Sequence, residues 1–238
     1  MTDKRLGKII TRIEDSFGEK RKALKHQPDL MDVLIATKLS QNTTDKTSYI
    51  AFNNLKNDFK NWEEVMNSSL GKIRKSIKVC GMANTKSADI KEMLNAVYKK
   101  SGKLSLNHLN KMSDDEVFDE LTQYKGFGKK TVSCVLAFGM GRDVFPVDTH
   151  IHRILNRIGI INTRTPDETF EISKEIIPDK HKASFHTNLI RFGRNVCRAI
   201  NPKCFDCIIK DLCGFKPKIM SETKQTSKEN NFIILENI

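Results

Sequence analysis

Tyr124-Lys125-Gly126-Phe127-Gly128-Lys129-Lys130-Thr131 is the stretch whose reading decides the fold. It joins a segment opened by Ser113 to the apolar run 132–139 (VSCVLAFG), both with helical spacing. A Gly-x-Gly turn between two helices lets the backbone approach a phosphate closely, and the second helix begins there with N–H groups facing the anion. The pattern is a helix-hairpin-helix, which grips a nucleic-acid backbone without reading its sequence. Gly126, Gly128 and Thr131 shape the turn, and Lys125, Lys129 and Lys130 surround it with positive charge. The same glycines could serve only as a C-cap and a turn in an ordinary helix connection. A chain with 41 Lys+Arg against 29 Asp+Glu, at formal charge +12, favours the binding reading.

Helical periodicity extends outward from this turn in both directions. Residues 29–38 (DLMDVLIATK) are apolar on most faces behind Pro28 and Asp29, as in a capped helix buried in a domain. Trp62, Val65, Met66 and Leu70 repeat at three- and four-residue spacing, as do Ile90, Met93, Leu94 and Val97. Ser113 to Glu116 and Thr165 to Glu168 read as capping boxes, and residues 181–191 as one more amphipathic helix. The one strand-like run, Val144 to Val147, is interrupted by Pro146. The expectation is an all-α fold of about ten short helices. With 238 residues the chain can bury a sizeable core. Mean hydropathy is −0.46. No apolar run approaches membrane-spanning length and the polar start lacks a signal-peptide core, so an intracellular protein is expected.

Two further motifs carry chemistry. Residues 145–153 (FPVDTHIHR) place Asp148 where a helix should begin, with Gly159 where it should end. Asp148 is either an N-cap alone, or a cap whose carboxylate, held ionised by helix N–H groups, also stabilises a cationic transition state. Cys197, Cys204, Cys207 and Cys213 fall within seventeen residues, and clustered thiols in an intracellular chain read as metal ligands before disulfides. Zinc is one candidate, although structural zinc sites more often pair two C-x2-4-C arms. Cys80 and Cys134 stand alone among apolar neighbours and read as small buried hydrophobes. Beyond Cys213 the composition turns polar, and 215–238 reads as a disordered tail whose only apolar cluster is FIIL.

Together these elements resemble the endonuclease III branch of the helix-hairpin-helix (HhH-GPD) DNA glycosylases. That branch carries a Leu-x-Gly-x-Gly-x-Lys-Thr hairpin, a Val-Asp-Thr-His block some eighteen residues after its lysine, and a C-x6-C-x2-C-x5-C signature. Lys130 and Asp148 stand eighteen apart, and the four cysteines reproduce the signature without a gap, although Tyr124 replaces the leading leucine and Lys125 the usual proline. Residues 39–45 (LSQNTTD) resemble the family segment that fills the gap left by an extruded nucleotide. Asn42 takes the place of the family glutamine and Gln41 that of its small neighbour. The Gln-Asn form is also similar to plant 5-methylcytosine glycosylases; a polar loop with Asp45 as N-cap is the plainer reading. Residues 81–88 (GMANTKSA) are similar to the family's Gly-Leu-Tyr-Asn-x-Lys-Ala loop, with Met82 at the apolar wedge position and Ala83 in place of tyrosine. Met82 also fits a core position.

The resemblance implies two helical lobes: 25–138 with the hairpin, and 1–24 plus 139–214 with a [4Fe-4S] cluster on Cys197, Cys204, Cys207 and Cys213. Arg198, Lys203 and Lys210 would make the cluster loop basic and DNA-facing. It implies a monomer acting on double-stranded DNA with a damaged base, oxidised pyrimidines above all, or an abasic site. Lys130 and Asp148 would be catalytic, with Lys130 attacking the sugar as a neutral amine, forming a Schiff base and cleaving the strand by β-elimination. Gln41, Asn42, Met82, Lys125, Gly126, Gly128, Lys129, Thr131 and His150 would contact DNA. Two readings compete: a monofunctional glycosylase using water, which Lys130 disfavours, and a non-catalytic binding module, which the pairing of Lys130 with Asp148 disfavours.

Overall fold

A computed structural model describes residues 4–18, 28–216 and 218–220. Among them lie eleven α-helices and no strand. The chain opens with α1 (Lys4–Phe17). Next come α2 (Leu30–Ser40), α3 (Asp45–Asp58), α4 (Trp62–Asn67), α5 (Leu70–Ile77), α6 (Ala83–Ser101), α7 (Asp114–Thr122) and α8 (Lys129–Cys134). The last three are α9 (Thr149–Ile158), α10 (Pro166–Ile176) and α11 (Lys182–Asn195). The described residues form two compact units: 28–142, here the hairpin unit, and 4–18 with 143–220, here the cysteine unit.

In the hairpin unit α2 is the central rod. Asp29 caps it by accepting from the Met31 and Asp32 amides, and every residue from Leu30 to Leu39 except Asp32 is buried. A helix apolar all round needs neighbours on every side, and α3, α6 and α8 supply them. Beyond α8 the chain continues as a π-helical turn, Val135–Gly139. Gly139 faces α2 so closely that a Cβ there would stand 3.1 Å from Leu30 and 3.2 Å from Val33. Glu120 of α7 is buried at the unit's edge, held by Lys100 Nζ at 2.9 Å and His108 Nε2 at 2.7 Å. In the cysteine unit α1 packs on α11 and α9 on both α10 and α11. Leu6, Ile9, Ile10 and Ile13 line the buried stripe of α1.

Several local expectations are met and others are corrected. Ser113 and Glu116 form the full reciprocal capping box. Thr165 caps α10, but Glu168 reaches back to the amide of Arg164 instead of Thr165, so this box is half made. The spacing of Trp62 to Leu70 spans two helices: Ser68 ends α4 and Ser69 caps α5, leaving Leu70 about half exposed. The cap of α3 is Thr44, one residue before Asp45. Residues 144–147 are buried but pair with no strand. Cys80 and Cys134 are buried. The FIIL cluster lies outside the described residues.

Two measurements check this packing. Leu34 is fully buried in α2, so Leu34→Ala should cost about 2–5 kcal/mol of unfolding free energy in denaturant, whereas Leu70→Ala should cost little. Burial pushes the Glu120 carboxyl up, but Lys100 and His108 outweigh it and hold the group below the ordinary glutamate range. A depressed carboxylate stabilises above its unfolded pKa and loses that contribution as pH falls through its folded pKa. Glu120→Gln should therefore destabilise at neutral pH, and the gap from wild type should close on acidification.

Candidate nucleic-acid interface and cysteine centre

The hairpin is built from α7, a tight turn and α8. The Phe127 amide donates to the Tyr124 carbonyl at 3.1 Å, and Gly126 takes φ +79°. Phe127 is buried and meets Tyr124 edge to face, so the turn is pinned by an aromatic contact. Gly128 caps α8 without a side chain, leaving no side-chain oxygen over the helix start. Lys125 and Lys129 are exposed, Lys130 is half-buried in the first turn of α8, and Thr131 is buried.

What lies beneath the turn was not anticipated from the sequence. Lys38 and Asp89, both almost fully buried, form an ion pair at 2.7 Å. Lys38 Nζ also donates to the Gly126 carbonyl at 2.9 Å. Any side chain at residue 126 would collide with both charged groups, so this glycine is required for space as well as for its positive φ. Gln41 Nε2 donates to the same Gly126 carbonyl at 3.0 Å and to Thr131 Oγ1 at 3.0 Å. Gln41 therefore engages the hairpin.

Asn42 and Met82, forty residues apart, come together at an exposed tip, with Asn42 Nδ2 donating to Met82 Sδ at 3.6 Å. Both adopt left-handed backbone, φ 51° and 49°, which costs a non-glycine residue about 1–2 kcal/mol. Met82 is 53% exposed, which removes the reading of it as a core methionine. Lys86 holds the tip together from inside: fully buried, it donates to the carbonyls of Leu39 at 2.8 Å and Cys80 at 3.0 Å. Burial lowers its pKa, opposed by Cys80.

In the cysteine unit Asp148 caps α9, accepting from the Ile151 amide at 2.9 Å, and Gly159 ends the helix in left-handed conformation. His150 lies on the first turn of α9 against Arg153 Nη2 at 3.2 Å and beside Gly193 of α11. Arg153 Nη2 donates to the Cys197 carbonyl at 3.0 Å. Arg157 donates to the carbonyls of Arg198 at 2.5 Å and Ala199 at 2.8 Å, and to Cys197 Sγ at 3.8 Å. The helix capped by Asp148 is thus tied to the cysteine loop by two arginines that sequence reading missed.

Cys197, Cys204, Cys207 and Cys213 line one cavity, with Phe192 and Ile209 closing its apolar side. All four are unpaired thiols. Burial, reinforced by the neighbouring cysteines, pushes Cys207 up to about 11, and burial also raises Cys197. Among the described residues no three potential ligands converge closely enough to hold a single ion. Four thiols on one cavity, with Arg157 directed at one sulfur, are a donor set suited to a thiophilic metal centre.

Among the described residues, fold and site together define a helical protein with a lysine-ringed hairpin and a loop carrying four thiols. The chain belongs to the HhH-GPD superfamily of base excision DNA repair proteins, whose family model matches residues 35–179, and to its endonuclease III branch. Endonuclease III of Thermotoga maritima is 33% identical over 189 residues, covering 79% of this chain and 84% of that one. An Arabidopsis thaliana protein named as a candidate DNA glycosylase is 37% identical over 169 residues, 71% of this chain; the match spans 58% of that protein's length. An endonuclease III trapped as a covalent DNA intermediate has the same fold, with TM-score 0.76 at 24% identity over 90% of this chain and 96% of that one. No described helix is long and apolar enough to cross a membrane.

Duplex affinity should fall steeply with salt through counterion release. Lys125→Ala and Lys129→Ala should each weaken binding and flatten the slope of log Kd against log salt by about 1, measured by fluorescence anisotropy. Salt-insensitive binding would contradict a phosphate grip at the hairpin.

Proposed function

We propose that this chain is a bifunctional DNA glycosylase and abasic-site lyase of base excision repair, acting in the DNA-containing compartment as a monomer. The observation that carries the reading is the placement of Lys130 in the first turn of α8, two residues past the glycine that caps it. A phosphate held at the hairpin leaves the adjoining sugar within this lysine's reach. Gly126, Gly128 and Thr131 shape the phosphate seat, with Lys125 and Lys129 at its rim. Asn42 and Met82 fill the space that an extruded nucleotide vacates, and His150 contacts the backbone near Asp148.

Lys130 Nζ, as a neutral amine, attacks the sugar C1′. The C1′–N bond breaks and the base leaves with the bonding electrons and a proton. Ring opening gives a Schiff base, whose C2′ proton is now acidic; its loss expels the 3′ phosphate. The Asp148 carboxylate stabilises positive charge on the sugar as the base departs. Oxidised or ring-saturated pyrimidines are the substrate class that the family relationship supports. Cys197, Cys204, Cys207 and Cys213 would hold a [4Fe-4S] cluster. When bound, it supplies four thiolate bonds that fix the basic loop carrying Arg198, Lys203 and Lys210.

Lys130→Gln should bind a duplex bearing one oxidised pyrimidine but give no borohydride-trapped adduct. Asp148→Asn keeps a capping side chain and should lower single-turnover base release about a hundredfold or more. Base release by wild type without an adduct would make the enzyme monofunctional; neither activity would leave a binding module. Purified wild type should be yellow-brown with about four irons per chain, and Cys207→Ser should lose the colour while Cys80→Ser keeps it. Stoichiometric zinc without a chromophore would refute the cluster.

A further inference from the structure

The Gly126 carbonyl accepts two hydrogen bonds from inside the protein, from Lys38 Nζ at 2.9 Å and Gln41 Nε2 at 3.0 Å. A carbonyl oxygen has two acceptor lone pairs, so both are used. Lys38 is itself held by Asp89 at 2.7 Å, in a site where each side chain is 5% exposed or less. A hairpin that seats a phosphate must keep its carbonyl oxygens away from the anion and its amides toward it. Within the turn one bond sets this peptide, the Phe127 amide donating to the Tyr124 carbonyl at 3.1 Å; the two side-chain donors hold its carbonyl end against a flip that glycine would otherwise permit.

We infer that Lys38, Asp89 and Gln41 are positioning residues that lock the Gly126 carbonyl inward, and that Gln41 thereby couples phosphate seating at the hairpin to the Asn42–Met82 tip. The second half follows from connectivity. Gln41 Nε2 also donates to Thr131 Oγ1, so one side chain spans from the turn to α8. Its backbone directly precedes Asn42, whose left-handed conformation sets the tip. The contact requires a donor at residue 41; a carboxylate there would face the Gly126 oxygen and repel it. Gln41 is therefore a hairpin brace, in contrast to the DNA-contact role its position in the segment suggested. The inference rests on reading the hairpin as the DNA-backbone grip, and does not depend on what chemistry Lys130 performs.

The test compares wild type with Gln41→Ala, Gln41→Glu and the double variant Lys38→Met/Asp89→Leu, which removes both charges and so leaves neither buried ion unpaired. Two readouts are taken on the 238-residue chain: anisotropy with an undamaged duplex across a salt series, and amide resonances of Gly126 and Gly128 in protein labelled with 15N-glycine, during titration with the same duplex. Each variant should bind three- to tenfold more weakly, with Gln41→Glu no better than Gln41→Ala. The salt slope should stay unchanged for Gln41→Ala and the double variant, since neither changes the net charge. The Gly126 and Gly128 resonances should move in the free protein and respond less to DNA. Wild-type affinity within twofold, together with unmoved glycine resonances, would overturn the brace. So would a Gln41→Ala variant that binds intact duplex normally but fails to extrude a 2-aminopurine reporter, because Gln41 would then act on the DNA directly. Should the double variant fail to fold, the Gln41 pair still decides the matter. If Lys130 trapping is absent while these binding effects appear, the brace stands and the lyase reading falls. If wild type does not bind duplex at all, both fall.

Discussion

Two ammonium groups buried in the hairpin unit, those of Lys38 and Lys86, fix where its exposed loops stand. Lys38 is held by the Asp89 carboxylate and the Gly126 carbonyl of the hairpin turn, and Lys86 by the carbonyls of Leu39 and Cys80. Burying such a group is costly unless it is paired and hydrogen-bonded, so these contacts leave the carbonyls little freedom to move. Lys86 and Asp89, one turn apart on α6, therefore link the hairpin, the 39–45 segment and the 81–88 loop. Removing one partner of the buried Lys38–Asp89 pair should cost about 3–5 kcal/mol, because the other charge is left uncompensated. The strained backbone at Asn42 and Met82 rests on this link.

The cysteine unit uses arginine for a comparable purpose. Arg153 and Arg157 lie one turn apart on α9 and donate to the loop from Cys197 to Ala199. The Gly214 amide closes the far side by donating to the Ile158 carbonyl. The loop carrying the thiols is consequently anchored at both ends on the helix that Asp148 caps. The planar guanidinium fork of Arg157 donates to two successive carbonyls of this loop. Within this unit, the cap and the cysteine loop share one support.

Features decided within a few residues were legible in the sequence. The Ser113 box, the Asp29 and Asp148 caps, Gly159 as a helix end and the buried face of Ile90 to Val97 are set by local geometry and periodicity, and the structure has them. The motif residues were legible through their spacing, but their partners were not. Lys38 was visible only as a charge inside an apolar run, and its counter-charge lies fifty-one residues away. The bonds that Gln41 makes to Gly126 and Thr131 were not legible, because nothing local reveals that its amide reaches them. The break between α4 and α5 was missed because the apolar spacing runs across it, although Ser68-Ser69 is a recognisable cap pair. The half-made box at Thr165 has the right residues, but the acidic side chain found the preceding amide instead.

The proposed lyase chemistry needs the amine of Lys130, and no neighbouring amine, to reach the sugar. Borohydride reduction of the enzyme on a duplex containing an abasic site, followed by proteolysis and mass spectrometry, locates the modified side chain. The expected product carries the reduced sugar on Lys130. An adduct on Lys129 or Lys125, or a distribution over several lysines, would contradict it.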